Sequence, residues 1–275
     1  MMTIVDTHLH LTDPPFGDQI EEIRRRSREA GIETMVTPGY SVTACETIIA
    51  MKQQYPDLPV AYGIHPQFIP VMETEGASGT EARAGGEAGR IGELLTDWLA
   101  RGRPIAVGEI GLDSRRGSSP MERQQQVFRE QLAVAVAHDL PVVIHCVQSH
   151  PACLTILTEA AREASSAGRR LRGVIHRASC SREVAVAYAA LGMYFSQGPD
   201  LFDVRRTRLR ALAEWVPDDR LLLETDGPYS VNRKGEPAGP WDLPDVAVEW
   251  AGIRGCAVEH IFRVSRMNTR AVFGI

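Results

Sequence analysis

Short apolar runs alternate along the chain with longer segments whose apolar residues recur at helical spacing. This alternation is typical of strand–helix units repeated around a parallel sheet. The runs predicted to be strands are residues 3–6, 33–37, 59–63, 104–108, 141–144, 173–175, 193–196 and 220–224. Helices are predicted over segments such as 19–29, 44–54, 123–138, 152–163, 182–190 and 207–215. Eight units within about 250 residues match a closed TIM (β/α)8 barrel better than an open doubly wound sheet.

One stretch of the chain, residues 73–90, breaks this pattern. It is rich in glycine, alanine and glutamate and has no sustained apolar period, so we expect a flexible loop insertion there. No internal repeat and no change of composition divides the sequence. We therefore predict one domain, a single barrel over residues 1–275.

The composition excludes several classes of protein. Of the 275 residues, 44% are hydrophobic, which is enough for a full-sized core. The five cysteines form no CxxC pair, as expected of reduced thiols in a cytosol. No apolar stretch approaches the roughly 20 residues of a membrane span, so we expect a cytoplasmic protein without membrane contact. The formal net charge of -5 argues against a broad basic surface that would hold the protein nonspecifically along nucleic acid.

The histidines are concentrated at the ends of predicted strands. Those at or just beyond a strand end are His8, His10, His65, His145 and His176. Two acids, Glu109 and Asp226, follow the fourth and eighth predicted strands. Because the carboxyl ends of barrel strands open on one face, these side chains are expected to converge there. Such a cluster predicts a metal-dependent active site.

The number of candidate ligands indicates more than one ion. His8 and His10 are two residues apart, so on an extended strand they point to the same side and can bind one ion. Four imidazoles and two carboxylates exceed the needs of one tetrahedral ion, and we expect two ions bridged by Glu109. A carboxylated lysine as the bridge is excluded, because the lysines, Lys52 and Lys234, fall in a predicted helix and in the last loop.

At these residues the sequence resembles the TatD family of metal-dependent deoxyribonucleases, within the amidohydrolase-like barrels. The matching motifs are VDTHLH, YGIHPQ, AVGEIGLD, QxxxFxxQL at 124–132, LPVVIH, IH at 175–176, LGMYFSQG, LLLETDGPY and NTRAVFG. They extend over nearly the whole chain in the family's order, and they are more specific for family and fold than for substrate.

The resemblance implies a role for each matching residue. The implied ligands of one ion are His8, His10, Glu109 and Asp226, and those of the other are Glu109, His145 and His176. A water or hydroxide between the ions would attack phosphorus, with Asp226 accepting its proton. His65 corresponds to a histidine near the phosphate, which contacts or protonates the leaving side. Glu224 is expected to orient one of the metal-binding side chains without contacting the metal itself.

The sequence departs from the family pattern around this site. The departures are Ser114-Arg115 after GLD, Val147, His176-Arg177-Ala178-Ser179-Cys180, and Lys234-Gly235-Glu236-Pro237. Three arginines that follow strand ends, Arg115, Arg177 and Arg233, are candidates for binding substrate phosphates. The changes leave the metal ligands intact, but they leave open whether DNA, RNA or a small phosphoester is the natural substrate.

The expected function is that of a metal-dependent hydrolase cutting phosphodiester bonds at single-stranded or frayed DNA ends. Two divalent ions, zinc, manganese or magnesium, are the expected cofactors. One alternative is an amidohydrolase acting on a lactone or cyclic amide. Another is a catalytically silent barrel that binds a ligand or partner. The sequence indicates no obligate protein partner.

Overall fold

The computed structural model describes residues 3–70, 90–115 and 118–275. The predicted insertion at 73–90 lies outside these ranges except for Arg90, which begins a helix. Within the described ranges, no helix is long and apolar enough to cross a lipid bilayer.

The described strands occupy all eight predicted positions, and the second position contains two strands. The strands are β1 (Ile4–Asp6), β2 (Ile32–Met35), β3 (Thr37–Pro38), β4 (Val60–Tyr62), β5 (Ala106–Asp113), β6 (Val142–Val147), β7 (Gly173–Ile175), β8 (Met193–Gln197) and β9 (Leu221–Leu223). β1 pairs with β2, and β3 to β9 form one parallel sheet in chain order.

Hydrogen bonds between the first and last strands close the sheet into a barrel. The backbone N–H of Thr7 donates to the carbonyl of Leu223 at 3.0 Å, and a parallel bridge joins Leu9 to Gly227. On the other side of β1, the N–H of Leu9 donates to the carbonyl of Val36 at 3.0 Å, between β2 and β3. The fold is therefore the predicted TIM-type α/β barrel.

Helices follow most strands and cover the outside of the barrel. They are α1 (Ile20–Glu29), α2 (Val42–Gln54), α3 (Arg90–Gly102), α4 (Met121–Ala137), α5 (His150–Ser166), α6 (Arg182–Ala190), α7 (Thr207–Trp215), α8 (Leu243–Arg254) and α9 (Val258–Phe273). Helices α3, α8 and α9 were not among the predicted helical segments. In α8 the buried residues Leu243, Val246, Ala247 and Trp250 recur at helical spacing, so that signal was present.

β5 differs most from its predicted bounds. It was predicted to end at Gly108, but it continues to Asp113, and all eight of its residues are buried. The extension exists because β6 also continues, to Val147, and pairs with it as far as Asp113. Glu109 therefore lies inside a strand and not beyond its end.

Candidate metal centre

The predicted histidines and acids converge at the carboxyl end of the barrel. His8 follows β1, His65 follows β4 and His176 follows β7, whereas Glu109 and His145 lie within β5 and β6. There they adjoin a cavity of about 280 Å³. The cavity is lined by His10, Tyr40, His65, Gln67, Phe68, Glu109, Arg115, His145, His176, Arg177, Asp226 and Tyr229.

Hydrogen bonds between two segments hold His8 beside Asp226. The backbone N–H of Asp226 donates to the carbonyl of His8 at 2.9 Å. The buried carboxylate of Asp6 accepts the backbone N–H groups of Thr225 at 2.9 Å and of His8 at 3.2 Å. Burial raises the pKa of Asp6 to about 7, although these hydrogen bonds act in the opposite direction. Asp6, which the sequence analysis did not single out, thus joins the first strand to the loop after the last.

Glu109 occupies the middle of the cluster and presents its two carboxylate oxygens to different histidines. Oε2 lies 3.5 Å from Nε2 of His8 and 4.0 Å from Nε2 of His10. Oε1 lies 3.0 Å from Nδ1 of His145 and 3.8 Å from Nε2 of His176. The two oxygens of Glu109 thus contact different imidazoles, although the rings of His8 and His176 are also stacked, with their centroids 3.5 Å apart.

The strand β5 is irregular around Glu109. The register with β6 shifts between Val107 and Ile110, and such bulges redirect side chains beside active sites. Gly111 follows with a φ of +143°, and a Cβ at this position would collide with the carbonyl oxygen of His145. Only glycine therefore permits the two strands to approach so closely here.

The carboxylates make the centre of the cluster electrostatically negative. Burial alone would raise the pKa of Glu109, but the charge of His176 and the hydrogen bonds of His145 and His8 hold it well below its usual value. Burial alone would lower the pKa of His176, but the carboxylates of Glu224, Asp226 and Glu109 raise it to about 9. The centre therefore favours positive charge, as a cation site requires.

Two further carboxylates lie behind the histidines and fix their orientation. Nδ1 of His176 is 2.8 Å from Oε2 of Glu224, which leaves Nε2 facing the centre. Nε2 of His145 is 3.1 Å from Oδ2 of Asp113, which leaves Nδ1 facing Glu109. Carboxylates in this position orient metal-binding histidines. Glu224 lies where its predicted role requires, whereas Asp113 was missed, although the GLD sequence placed an acid at the same strand end.

His65 faces the centre with a nitrogen that carries a proton. The backbone N–H of Gln67 donates to Nδ1 of His65 at 3.1 Å, so in the neutral ring the proton is on Nε2. Burial lowers the pKa of His65 to about 3, and the ring is therefore neutral near pH 7. Ligand atoms of His65, Glu109 and His145 lie within 4.8 Å of one another. A protonated nitrogen cannot be a ligand, however, and the geometry favours a hydrogen-bond donor.

Arg115 and Arg177 line the cavity, and both are paired with acids. Arg115 forms an ion pair with Asp113 through Nη2 and Nε. Nη1 of Arg177 donates to Oδ2 of Asp226 at 2.7 Å, and its Nη2 donates to Asp200 at 2.7 Å. Burial alone would lower the pKa of Arg177, but these two carboxylates raise it above its usual value. Arg177 therefore stays charged beside a proposed metal ligand.

Arg233 does not line the cavity. Its guanidinium is paired with Glu249 of α8, and it lies 4.2 Å from the ring centroid of Phe202. These contacts hold it away from the cavity wall, and the structure gives no support to its predicted contact with substrate phosphates.

The cluster fits a divalent-metal centre in both geometry and chemistry. The ligand atoms of His8, His10 and Asp226 lie within 4.8 Å of one another, and so do those of His8, Glu109 and His176. The Nδ1 atoms of His8 and His10 are buried without a hydrogen-bond partner in the described part of the chain. Among the described residues, therefore, no hydrogen bond at Nδ1 fixes the orientation in which the Nε2 atoms of these two rings face the acids. A cation bound at the Nε2 atoms would account for this orientation. Imidazole nitrogens and carboxylate oxygens suit zinc and manganese, and the carboxylates also suit magnesium.

Replacing Glu224 by glutamine is expected to weaken metal binding by about 10- to 100-fold without unfolding the protein. The amide keeps the shape of the side chain but loses the charge that orients His176. The measurement is calorimetric titration of the metal-free protein with manganese or zinc. Glu214→Gln, at an exposed position of α7, is the matched control and should retain the affinity. Equal affinities for the two variants would contradict the orienting role.

The comparison with protein families agrees with this geometry. The family model described as TatD related DNase matches residues 5–274. The chain is 30% identical over 276 residues to the 3'-5' ssDNA/RNA exonuclease TatD of Dickeya dadantii (strain 3937), with 98% of this chain and 97% of the relative covered. It is 27% identical over 274 residues to the uncharacterized metal-dependent hydrolase YabD of Bacillus subtilis (strain 168), with 99% of each covered.

A solved structure shows the same architecture. The crystal structure of YjjV, a TatD homologue from Escherichia coli K12, superimposes with a TM-score of 0.84 at 28% identity, and the match covers 100% of both chains. With the family model matching almost from end to end, this chain belongs to the TatD family and is a metal-dependent hydrolase.

Proposed function

We propose that this chain releases nucleotides from single-stranded or frayed DNA ends by hydrolysing phosphodiester bonds with two divalent cations. The observation that carries the proposal is the position of Glu109, whose Oε2 faces His8 while its Oε1 faces His145. The name of the Dickeya dadantii relative, a 3'-5' ssDNA/RNA exonuclease, supports the substrate class.

The six proposed ligands, Glu109 among them, divide into two sets that share Glu109. The proposed ligands of one cation are His8, His10, Glu109 and Asp226, and those of the other are Glu109, His145 and His176. When bound, such cations supply an activated water as nucleophile and neutralise charge on the phosphoryl oxygens. Reconstitution with zinc, manganese and magnesium in turn identifies the metal that supports turnover.

Side chains of the cavity supply the remaining proton and charge chemistry. Burial alone would raise the pKa of Asp226, but the charge of His176 and other neighbours lowers it, so the carboxylate is ionised and can accept the proton of the attacking water. The Nε2–H of His65 can donate a hydrogen bond to a phosphoryl or leaving oxygen. The planar guanidinium groups of Arg115 and Arg177 can bind phosphate oxygens.

Replacing His65 by alanine is expected to lower turnover about a hundredfold while both cations remain bound. The reason is that the variant loses a hydrogen-bond donor to the substrate and not a ligand. Steady-state nucleotide release and elemental analysis of the same sample make the test. His138→Ala, at an exposed position after α4, is the control and should show normal turnover. Loss of one cation from His65→Ala would instead make His65 a ligand.

The substrate is tested with an end-labelled single strand and a covalently closed circular duplex. A protein that travels along duplex DNA needs a surface that neutralises many phosphates, and the net charge of -5 argues against one. We therefore expect rapid release of nucleotides from the single strand, slow cutting of the closed duplex and a shallow dependence on salt. Efficient cleavage of the closed duplex would contradict end-directed hydrolysis. Inertness toward nucleic acids combined with rapid lactone or amide hydrolysis would support the carbonyl alternative.

A further inference from the structure

Three aromatic side chains form a continuous rim on one side of the cavity. Tyr40 follows β3, Phe68 follows β4 and Tyr229 follows β9, and we call these residues the aromatic strip. The ring centroids of Tyr40 and Phe68 are 5.0 Å apart, and the rings of Tyr40 and Tyr229 both contact the ring of His10 edge-on, at 5.3 Å and 4.9 Å. The strip is thus one surface built from three loops.

The strip adjoins the proposed metal ligands and is open to solvent. The ring of Tyr229 lies 4.9 Å from that of His10, and the ring of Phe68 lies 5.8 Å from that of His65. Phe68 is 48% exposed and Tyr229 is 57% exposed. Apolar rings this exposed at the edge of a polar cavity offer a surface on which a flat ligand can stack.

The two arginines of the cavity follow other strands of the barrel than the aromatic strip does. Arg115 follows β5 and Arg177 follows β7. The residues of the aromatic strip follow β3, β4 and β9, and these strands are linked around the barrel through β1. Nη1 of Arg177 donates to Asp226 at 2.7 Å, so the guanidinium groups adjoin the proposed metal centre as the strip does. The cavity therefore offers aromatic rings and guanidinium groups on different parts of its wall, and both adjoin the proposed metal centre. This arrangement matches a nucleotide, which has an aromatic base at one end and a phosphate at the other.

We propose that the aromatic strip is a nucleobase-binding subsite on which the terminal bases of a single strand stack, while the adjoining phosphates contact Arg115 and Arg177. The inference rests on the proposed function, because it gives the bases of the same single-stranded substrate a binding position. Every base has an aromatic face, so stacking of this kind tolerates any sequence. It also supplies affinity that a chain with a net charge of -5 does not gain from a basic surface.

The ring of Tyr229, and not its hydroxyl, is assigned the contact with the base. The hydroxyl donates to Oδ2 of Asp13 at 2.6 Å and is thereby engaged within the protein. This bond fixes the direction of the ring without occupying its exposed face. A phenylalanine at this position keeps the stacking surface, whereas an alanine removes it.

The test is fluorescence anisotropy of the metal-loaded full chain with two labelled single strands. Both strands have phosphorothioate linkages that resist hydrolysis, and in one of them the terminal residues at both ends are abasic. We expect the wild-type protein to prefer the base-bearing strand by about tenfold or more. Tyr229→Ala and Phe68→Ala should each remove most of that preference, and Tyr229→Phe should keep it. Met267→Ala is the matched control, because Met267 is 61% exposed on α9 away from the cavity.

Two results would overturn the subsite. One is equal affinity of the wild-type protein for the two strands, and the other is an equal loss of affinity for both strands in Tyr229→Ala. Nucleotide release by the wild-type protein is measured separately. If release is efficient while the two strands bind equally, the aromatic subsite fails and the proposed function stands. If no nucleic acid is bound or cut, both fail together.

Discussion

Replacing Asp226 by asparagine is expected to lower turnover on single-stranded ends by about two to four orders of magnitude while the fold is retained. The carboxylate faces the cluster through Oδ1, which lies 3.5 Å from Nε2 of His10 and 3.6 Å from Nε2 of His176. It is also the proposed proton acceptor. The amide that replaces it has lost both the negative charge and the ability to take a proton, so the chemical step should be affected more than substrate binding.

Asparagine is the informative substitution because of the backbone at this position. Asp226 has a φ of +52°, a left-handed conformation that asparagine tolerates better than alanine does. Its side-chain oxygen can still accept the hydrogen bond from Arg177. Thermal melting should therefore stay close to that of the wild type. Asp219→Asn, at an exposed position before β9, is the control and should have normal turnover. Near-normal turnover of Asp226→Asn would mean that another group accepts the proton.

Replacing Glu109 by glutamine is expected to abolish the tight binding of both cations. A single carboxylate lies between the two proposed sets of ligands, so its loss should affect both sites and not one. We expect the affinity for metal to fall by more than roughly 100-fold, which is the usual upper limit when the substituted residue only hydrogen-bonds to a metal ligand. The measurement is elemental analysis of the protein after equilibration with a defined metal buffer.

The His8→Ala, His10→Ala double variant is the matched comparison for Glu109→Gln. It removes two ligands from one proposed site and leaves His145 and His176 in place at the other. We expect it to keep about one cation where Glu109→Gln keeps none. Retention of both cations by the double variant would overturn the ligand assignment. Retention of one cation by Glu109→Gln would exclude the bridging role.

The fold and the centre of the site were accessible from the sequence because both follow from local periodicity. Short apolar runs predicted the strand positions, and the barrel rule placed the residues at their carboxyl ends together. His8, His145 and His176 meet around Glu109 for that reason. The error at β5 arose because glycines at 108 and 111 resemble the end of a strand, whereas here they permit close contact with β6.

The surroundings of the site could not be predicted, because they depend on contacts between distant segments. Asp6 and Asp113 act on residues that tertiary structure brings to them, and although VDTHLH and GLD contain these acids, neither motif shows which group each acid contacts. Arg177 has a φ of +45°, and its approach to Asp226 becomes visible only once the chain has folded. Tyr40 and Phe68 had no role in the sequence analysis, because aromatic residues near strand ends are expected to pack in a core.

The measurement that tests the central claim most directly is a manganese titration of the metal-free wild-type protein in which bound metal and nucleotide release are followed together. Nucleotide release is measured from an end-labelled single strand at each step. The account predicts two bound cations per chain, with turnover that rises steeply only as the second site fills. Full turnover with a single cation bound, or turnover that persists in the presence of a strong chelator, would contradict it.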